Sequence, residues 1–291
     1  MIFTHKLLLP EPRKAGYTLC KHVIVTPMSI KKYRSIATLM LSLEEQLRDA
    51  VELMQHASHI VALTGAGIST ESGIPDFRSP GSIWQQTPPV SYHDFISKAE
   101  ARRQYWQTRH SLSQQVAAAR PNAAHRALAE LERRQLLLGV ITQNFDGLHQ
   151  DAGHAPERIV ELHGSSRFAA CTLCGIRSSM SELQQRIDAG EIDPSCPQCG
   201  GFLKTATILF GQRIPATDLA RARELASTCD LFLVVGSSLR VTPAAVLPKL
   251  ALRRTVPLVI INLEPTPLDD YADVVLHASA GLVLPELVAQ L

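Results

Sequence analysis

Two cysteine pairs give the chain its clearest chemical signal: "CTLC" at 171–174 and "CPQC" at 196–199. Each CxxC knuckle lets two thiolates reach one ion, and two knuckles at this separation suit a four-cysteine zinc site. "CPQCGG" also supplies the proline and glycines that such a turn needs. Four thiolates complete a tetrahedron, so one Zn(II) per chain on Cys171, Cys174, Cys196 and Cys199 is expected to be structural rather than catalytic. Paired disulfides are disfavoured because no secretory signal is read in the sequence, and a redox CxxC would occur once, at a helix start. Cys20 and Cys229 have no partner by spacing and read as ordinary residues.

The second signal lies in "VALTGAGISTESGIPDFRSP", residues 61–80. A strand runs into a glycine turn whose backbone N–H groups at Gly65, Ala66 and Gly67 would open a helix and could meet a pyrophosphate. Alone, a GxG is more often a packing turn, and the third glycine of the dinucleotide fingerprint is missing. The continuation sets Ser69, Thr70, Asp76 and Arg78 beside Phe77, more polar groups than a turn requires. Further on, "TQNFD" brings Gln143, Asn144 and Asp146 together, and "ELHGS" carries His163. With eleven histidines in the chain, a lone one at a strand end reads first as a hydrogen-bonded structural group.

These residues need a scaffold, and the apolar pattern provides one. "LEEQLRDAVELMQHA" has apolar residues at helical spacing with acids in its first turn. Short, often β-branched runs follow at "HIVALT", "LLLGVITQN", "ATILFG", "LFLVVGSS", "PLVIIN" and "DVVLHA", with helical stretches such as "AAHRALAELERR" and "ATDLARARELAS" between several of them. That alternation argues for an α/β fold, a Rossmann-like doubly wound parallel sheet over 43–78, 121–166 and 204–291. Ligands bind such sheets at the carboxyl ends of the strands, which here read "TGAG", "TQNFD", "GSSL" and "INLE". Residues 79–120, with both tryptophans and no strand-like run, read as a helical insertion, and 167–203 as a zinc-binding module.

The linked motifs "GAGISTESGIPDFRS", "TQNFDGLHQDAG", "ELHGS", the two CxxC pairs, "FGQRIP", "GSSLRVTPAA" and "INLEPTPLD" resemble, in order and spacing, the sirtuin family of NAD-dependent protein-lysine deacylases, over about residues 45–290. The likeness is to bacterial-type members, with some similarity to the class II branch that includes lipoamidase-like sirtuins. It implies that Gly65, Ala66, Gly67 and Thr70 cradle the NAD phosphates, and that Phe77 and Arg78 belong to a loop closing over the nicotinamide ribose. Gln143, Asn144 and Asp146 would hold the ribose hydroxyls and the carboxamide; Gly236, Ser237, Asn262, Glu264 and Ala280 would contact the phosphate and adenosine half. By the same resemblance, the acyl-lysine carbonyl oxygen displaces nicotinamide, His163 is the general base on a ribose hydroxyl, Asn144 and Asp146 assist, and the acyl group leaves on ADP-ribose. The substrate peptide would lie extended between "ILFGQ" and "SLRVTP", touching Phe210, Gly211 and Val241. A pKa near 6.5 suits imidazole to that role.

The chain departs from the family pattern at Gln212, where an acid is frequent, and at Phe145, where an aliphatic is usual. In "QYWQTRH", Trp106 and Arg109 occupy the places where succinyl-removing sirtuins carry a tyrosine and an arginine, so an acyl-pocket role competes with a core Trp106 and a solvent-facing Arg109. Protein mono-ADP-ribosyl transfer is the alternative chemistry. A non-catalytic zinc-ribbon binding module and an NAD dehydrogenase fit less well.

Composition narrows the partners. Of the 291 residues, 45% are hydrophobic, enough for a real core, and 29 basic against 27 acidic residues leave a net charge of +2. That balance indicates neither a nucleic-acid nor a membrane surface. The expected partners are acylated lysine side chains of proteins, with the chain acting as a cytoplasmic monomer. The first 42 residues form a basic extension that reads as a disordered tail, a targeting segment or translated sequence ahead of a start at Met40, the first and last being favoured because Pro10, Pro12 and Pro27 interrupt it.

Overall fold

Ile60–Thr64 is buried at every position, which requires a central strand covered on both faces. This is β1 of the computed structural model, which describes residues 42–76 and 88–291 apart from the side chains of 110–114. The described helices are α1 (Leu43–Gln55), α2 (Tyr92–Ser97), α3 (Ala99–Ala118), α4 (Ala123–Arg133), α5 (Leu148–Asp151), α6 (Met180–Asp188), α7 (Ala216–Thr228), α8 (Leu247–Arg253) and α9 (Ala280–Ala289). The remaining strands are β2 (Leu137–Thr142), β3 (Ile159–Glu161), β4 (Gly164–Cys171), β5 (Arg177–Ser179), β6 (Leu203–Thr207), β7 (Leu231–Val235), β8 (Leu258–Ile261) and β9 (Val274–Leu276).

Among the described residues, six strands form a parallel sheet in the order β3-β2-β1-β7-β8-β9. The chain begins at the centre, builds outward through β2 and β3, then returns to start the other half at β7. The switch point therefore lies between the carboxyl ends of β1 and β7, where loops leave in opposite directions and open a crevice. One face of the sheet is covered by α1, α4 and α9 through Met54, Leu128, Leu131, Leu284 and Leu287. The other is covered by α7 and α8 through Ala222, Ala226, Leu247 and Ala251. Helix α1 starts at a capping box, with Ser42 accepting from the Glu45 N–H while Glu45 reaches back to the Ser42 N–H.

One expected strand belongs elsewhere. The "ATILFG" run enters β6, which ends at Thr207 and pairs antiparallel with β4 in a separate three-stranded sheet ordered β5-β4-β6. The edge place in the large sheet goes to β3, a strand of three residues just before His163. The helical insertion and the cysteine-bearing segment share one apolar core: Phe95, Tyr105 and Trp106 pack with Ala169, Cys171, Leu183, Cys196 and Leu203. A buried Arg102 ties the two segments, its guanidinium 2.9 Å from Asp193 and 3.6 Å over the Phe202 ring. Phe77 and Arg78, expected in the cofactor loop, lie outside the described residues.

Candidate active site

Two loops interlock at the switch point. The Gly65 N–H donates to Val235 O (3.1 Å), the Gly67 N–H to Gly236 O (2.9 Å), and the Gly236 N–H to Ile261 O (2.8 Å). A Cβ on Gly65 would lie 2.7 Å from Gly236 O, and one on Gly67 2.8 Å from Gly236 Cα. Gly236 itself has φ +62°, and its Cβ would meet Ile68 N at 2.2 Å. These glycines serve close backbone approach. That corrects part of the sequence reading, since two of the three amides expected to face a pyrophosphate are committed to internal carbonyls.

Beside this junction opens a cavity of ≈ 710 Å³, long enough to run from the glycine loops to the small sheet. Gly65, Ala66, Gly67 and Thr70 line it together with Gln143, Asn144, Gly236 and Ser237. Asn262, Glu264 and Ala280 line it at one end; His163, Phe210, Gly211, Val241 and Arg109 line it toward the other. Parts of the chain far apart in sequence thus converge where strands β1, β2, β7 and β8 end. Asp146 is not on the wall. It lies buried behind it, accepting from Ser69 Oγ (2.8 Å) and the Leu148 N–H (2.9 Å).

The side chains of "TQNFD" are held rather than free. Asn144 Nδ2 donates to Gly65 O and to Ser69 Oγ, both at 3.1 Å, and the Asn144 N–H donates to Thr142 Oγ1 at 3.0 Å. Gln143 Nε2 donates to Ser237 Oγ at 2.7 Å, bridging β2 to β7 across the crevice. Burial raises the Asp146 pKa, opposed by its two donors.

His163 follows β3, and its ring is fixed by Nδ1–H donating to Gln143 O at 2.9 Å. Because the carbonyl can only accept, Nδ1 carries the proton and Nε2 keeps a lone pair on a ring that lines the cavity. Burial lowers the His163 pKa and the Gln143 carbonyl raises it, with burial the larger effect, so the neutral base predominates near neutral pH.

At the small-sheet end, Arg109 is not solvent-facing. Its Nη2 donates to Thr207 Oγ1 (3.1 Å), and its guanidinium sits 4.9 Å from the Phe145 ring centre and 5.4 Å from that of Tyr105. The unusual Phe145 thus has a partner. Of the two roles expected for Trp106, it takes the core one: it is 3% exposed, absent from the cavity wall, and packed edge-on to Tyr105 in the small core. Successive residues on a helix point about 100° apart, so Trp106 turns inward where Tyr105 reaches the cavity. Tyr105 and Glu71 are wall residues that the sequence reading missed. Glu71 Oε1 accepts from Ser279 Oγ (2.7 Å) and the Gly281 N–H (2.9 Å), clasping the glycine-loop helix to the start of α9. Only contacts between residues this distant could have revealed it.

The four cysteines fit a tetrahedral ion. Their sulfurs lie within 4.8 Å of one another, with Cys171–Cys199 at 3.5 Å and Cys174–Cys196 at 3.8 Å. Zinc–sulfur bonds of about 2.3 Å give tetrahedral S···S edges of about 3.8 Å. The Leu173 N–H donates to Cys171 Sγ at 3.3 Å, which stabilises a thiolate, and a Cβ on Gly201 would stand 2.9 Å from that sulfur.

The Sir2 family profile matches residues 65–243, the stretch that holds most of the crevice and the cysteine cluster. The chain belongs to the Sir2 family. Among curated relatives it is 45% identical over 233 residues to the NAD-dependent protein deacetylase 2 of Streptomyces coelicolor, covering 79% of this chain and 96% of that protein. It is 46% identical over 255 residues to the NAD-dependent protein deacetylase 1 of Bradyrhizobium diazoefficiens, covering 88% and 99%. A solved Sir2–p53 peptide–NAD+ complex superposes with a TM-score of 0.76 at 33% identity, over 86% of this chain and 98% of that one.

Proposed function

We infer that this Sir2-family chain is an NAD-dependent protein-lysine deacylase, removing acetyl groups by default. The observation that carries the site assignment is His163: a neutral imidazole with Nδ1–H anchored on Gln143 O and Nε2 available on the cavity wall. NAD, when bound, supplies an electrophilic ribose carbon, nicotinamide as leaving group and ADP-ribose as acyl acceptor.

The chain's own residues do the remaining work. His163 Nε2 takes the proton from a hydroxyl presented to it, and the Gln143 carbonyl steadies the imidazolium that results. Asn144 and Gln143, held by Ser69 and Ser237, keep the polar wall in register for the ribose and carboxamide. Ala66, Thr70, Gly236, Ser237, Asn262, Glu264 and Ala280 line the end assigned to the phosphates and adenosine; by resemblance, Phe77 and Arg78 belong to the loop over the nicotinamide ribose. Phe210, Gly211 and Val241 flank the entry for an extended acyl-lysine peptide. Zinc on Cys171, Cys174, Cys196 and Cys199 braces the small core that carries Tyr105 and Arg109. A reduced four-thiolate site is at home in the cytoplasm.

The acyl preference is tested by offering NAD with acetyl-, succinyl-, lipoyl- and long-chain acyl-lysine peptides and measuring nicotinamide release, with intact-mass analysis of a protein substrate alongside. Acyl-dependent release and a lighter protein support deacylation. A protein that gains the mass of ADP-ribose would overturn it.

A further inference from the structure

Behind the polar wall lies a cluster of three histidines for which the reaction has no direct use. His149, on α5, is 1% exposed, and its ring stands between those of His125 (5.0 Å between centres) and His154 (5.4 Å). His154 is fixed at the outer side, its Nδ1–H donating to Glu132 Oε2 at 2.5 Å. His149 Nδ1 has no hydrogen-bond partner among the described residues, a costly arrangement for a buried nitrogen that an apolar side chain would avoid.

The other nitrogen accounts for the histidine. Thr64 and Thr142 end β1 and β2 in direct register, and Thr64 Oγ1 donates its only proton to Thr142 Oγ1 at 2.8 Å. His149 Nε2, 2.9 Å from Thr64 Oγ1, must therefore be the donor in that bond. Thr142 Oγ1 in turn receives the Asn144 N–H. A second branch runs in parallel. Ser69 Oγ gives its proton to Asp146; His125 Nε2 lies 3.5 Å from Ser69 Oγ, and its Nδ1 lies 3.1 Å from Asn122 Oδ1 and 3.4 Å from Asn122 N. Asn144 Nδ2 donates to the same Ser69 oxygen.

We propose that His149 is a positioning residue of the cofactor site: it donates Nε2–H to Thr64 Oγ1, whose own proton orders Thr142 Oγ1, the acceptor that fixes the Asn144 N–H from behind. The assignment rests on the deacylase reading and adds a residue that touches neither cofactor nor peptide. Phenylalanine at 149 would fill similar volume but leave Thr64 without its donor, whereas glutamine can present an N–H near the position of Nε2. A purely packing role would favour phenylalanine, and a positioning role favours glutamine.

The test compares wild type, His149→Phe, His149→Gln and Thr64→Val for KM toward NAD, KM toward an acetyl-lysine peptide, kcat, and ADP-ribose affinity by calorimetry. We expect His149→Phe to raise the NAD KM and weaken ADP-ribose about tenfold, with the peptide KM within about twofold and the glutamine variant within about threefold of wild type. Thr64→Val, close to isosteric, should repeat the phenylalanine result and decides the matter should His149→Phe not fold. A wild-type NAD KM in either of these variants, or glutamine no better than phenylalanine, overturns the proposal. A wild-type enzyme without NAD-dependent deacylation would instead overturn the reading beneath it.

Discussion

The same histidines make the fold sensitive to acid. Burial, with the nearby His154 and Arg126 charges, pushes His125 down from 6.5 to about 4. The unfolded chain binds a proton here more readily than the folded one, so acid favours unfolding. Stability is complete above the unfolded value and drains as pH falls from 6.5 toward about 4. At about 1.4 kcal/mol per pKa unit, the whole gap amounts to roughly 3 kcal/mol, of which about 2 kcal/mol is lost by about pH 5. His149 and His154, also lowered by burial, act in the same direction. Asp146 and Glu161, raised by burial, act in the opposite one. Urea unfolding of wild type and His125→Gln, from about pH 8 to about pH 5, separates these effects because the background cancels. Glutamine cannot titrate, so the stability advantage of wild type over the variant should shrink by about 2 kcal/mol across that range. Parallel stability curves for the two proteins would refute the reasoning.

Two further outcomes follow from the small core. Cys196→Ser or removal of zinc by a strong chelator should abolish deacylation and the near-UV signal of Trp106, because Cys171 and Cys196 pack in the same cluster as Tyr105 and Trp106; the far-UV signal of the parallel sheet should largely persist. Arg102→Met should destabilise the protein by about 2 kcal/mol in urea unfolding, since it leaves the partly buried Asp193 carboxylate without its partner. A loss below about 0.5 kcal/mol would mean that water already satisfies the pair.

The large sheet was legible because its strands are fully buried and therefore read as continuous apolar runs between amphipathic helices. The cysteine knuckles were legible because thiolate spacing is a local property. "ATILFG" went to the wrong sheet because a short apolar run carries no record of its partner strand, and β3 was missed because three residues leave almost no period. At the site, the family resemblance picked out His163 and the polar wall, while the roles of Gly65 and Gly67 depended on how closely another loop approaches them. Which of Tyr105 and Trp106 touches the cavity was not legible, since one position along a helix turns a side chain from the cavity into the core. Glu71 and His149 act through contacts that no local pattern records.

The central claim is that His163 drives acyl transfer from lysine to a fragment of NAD. The most direct measurement is the ratio of nicotinamide released to lysine freed from an acetyl-lysine peptide, for wild type and His163→Ala. The account predicts one nicotinamide for each freed lysine in wild type, with lysine release lost in the variant. Deacetylation that proceeds without NAD, or that survives His163→Ala at the wild-type rate, would contradict it.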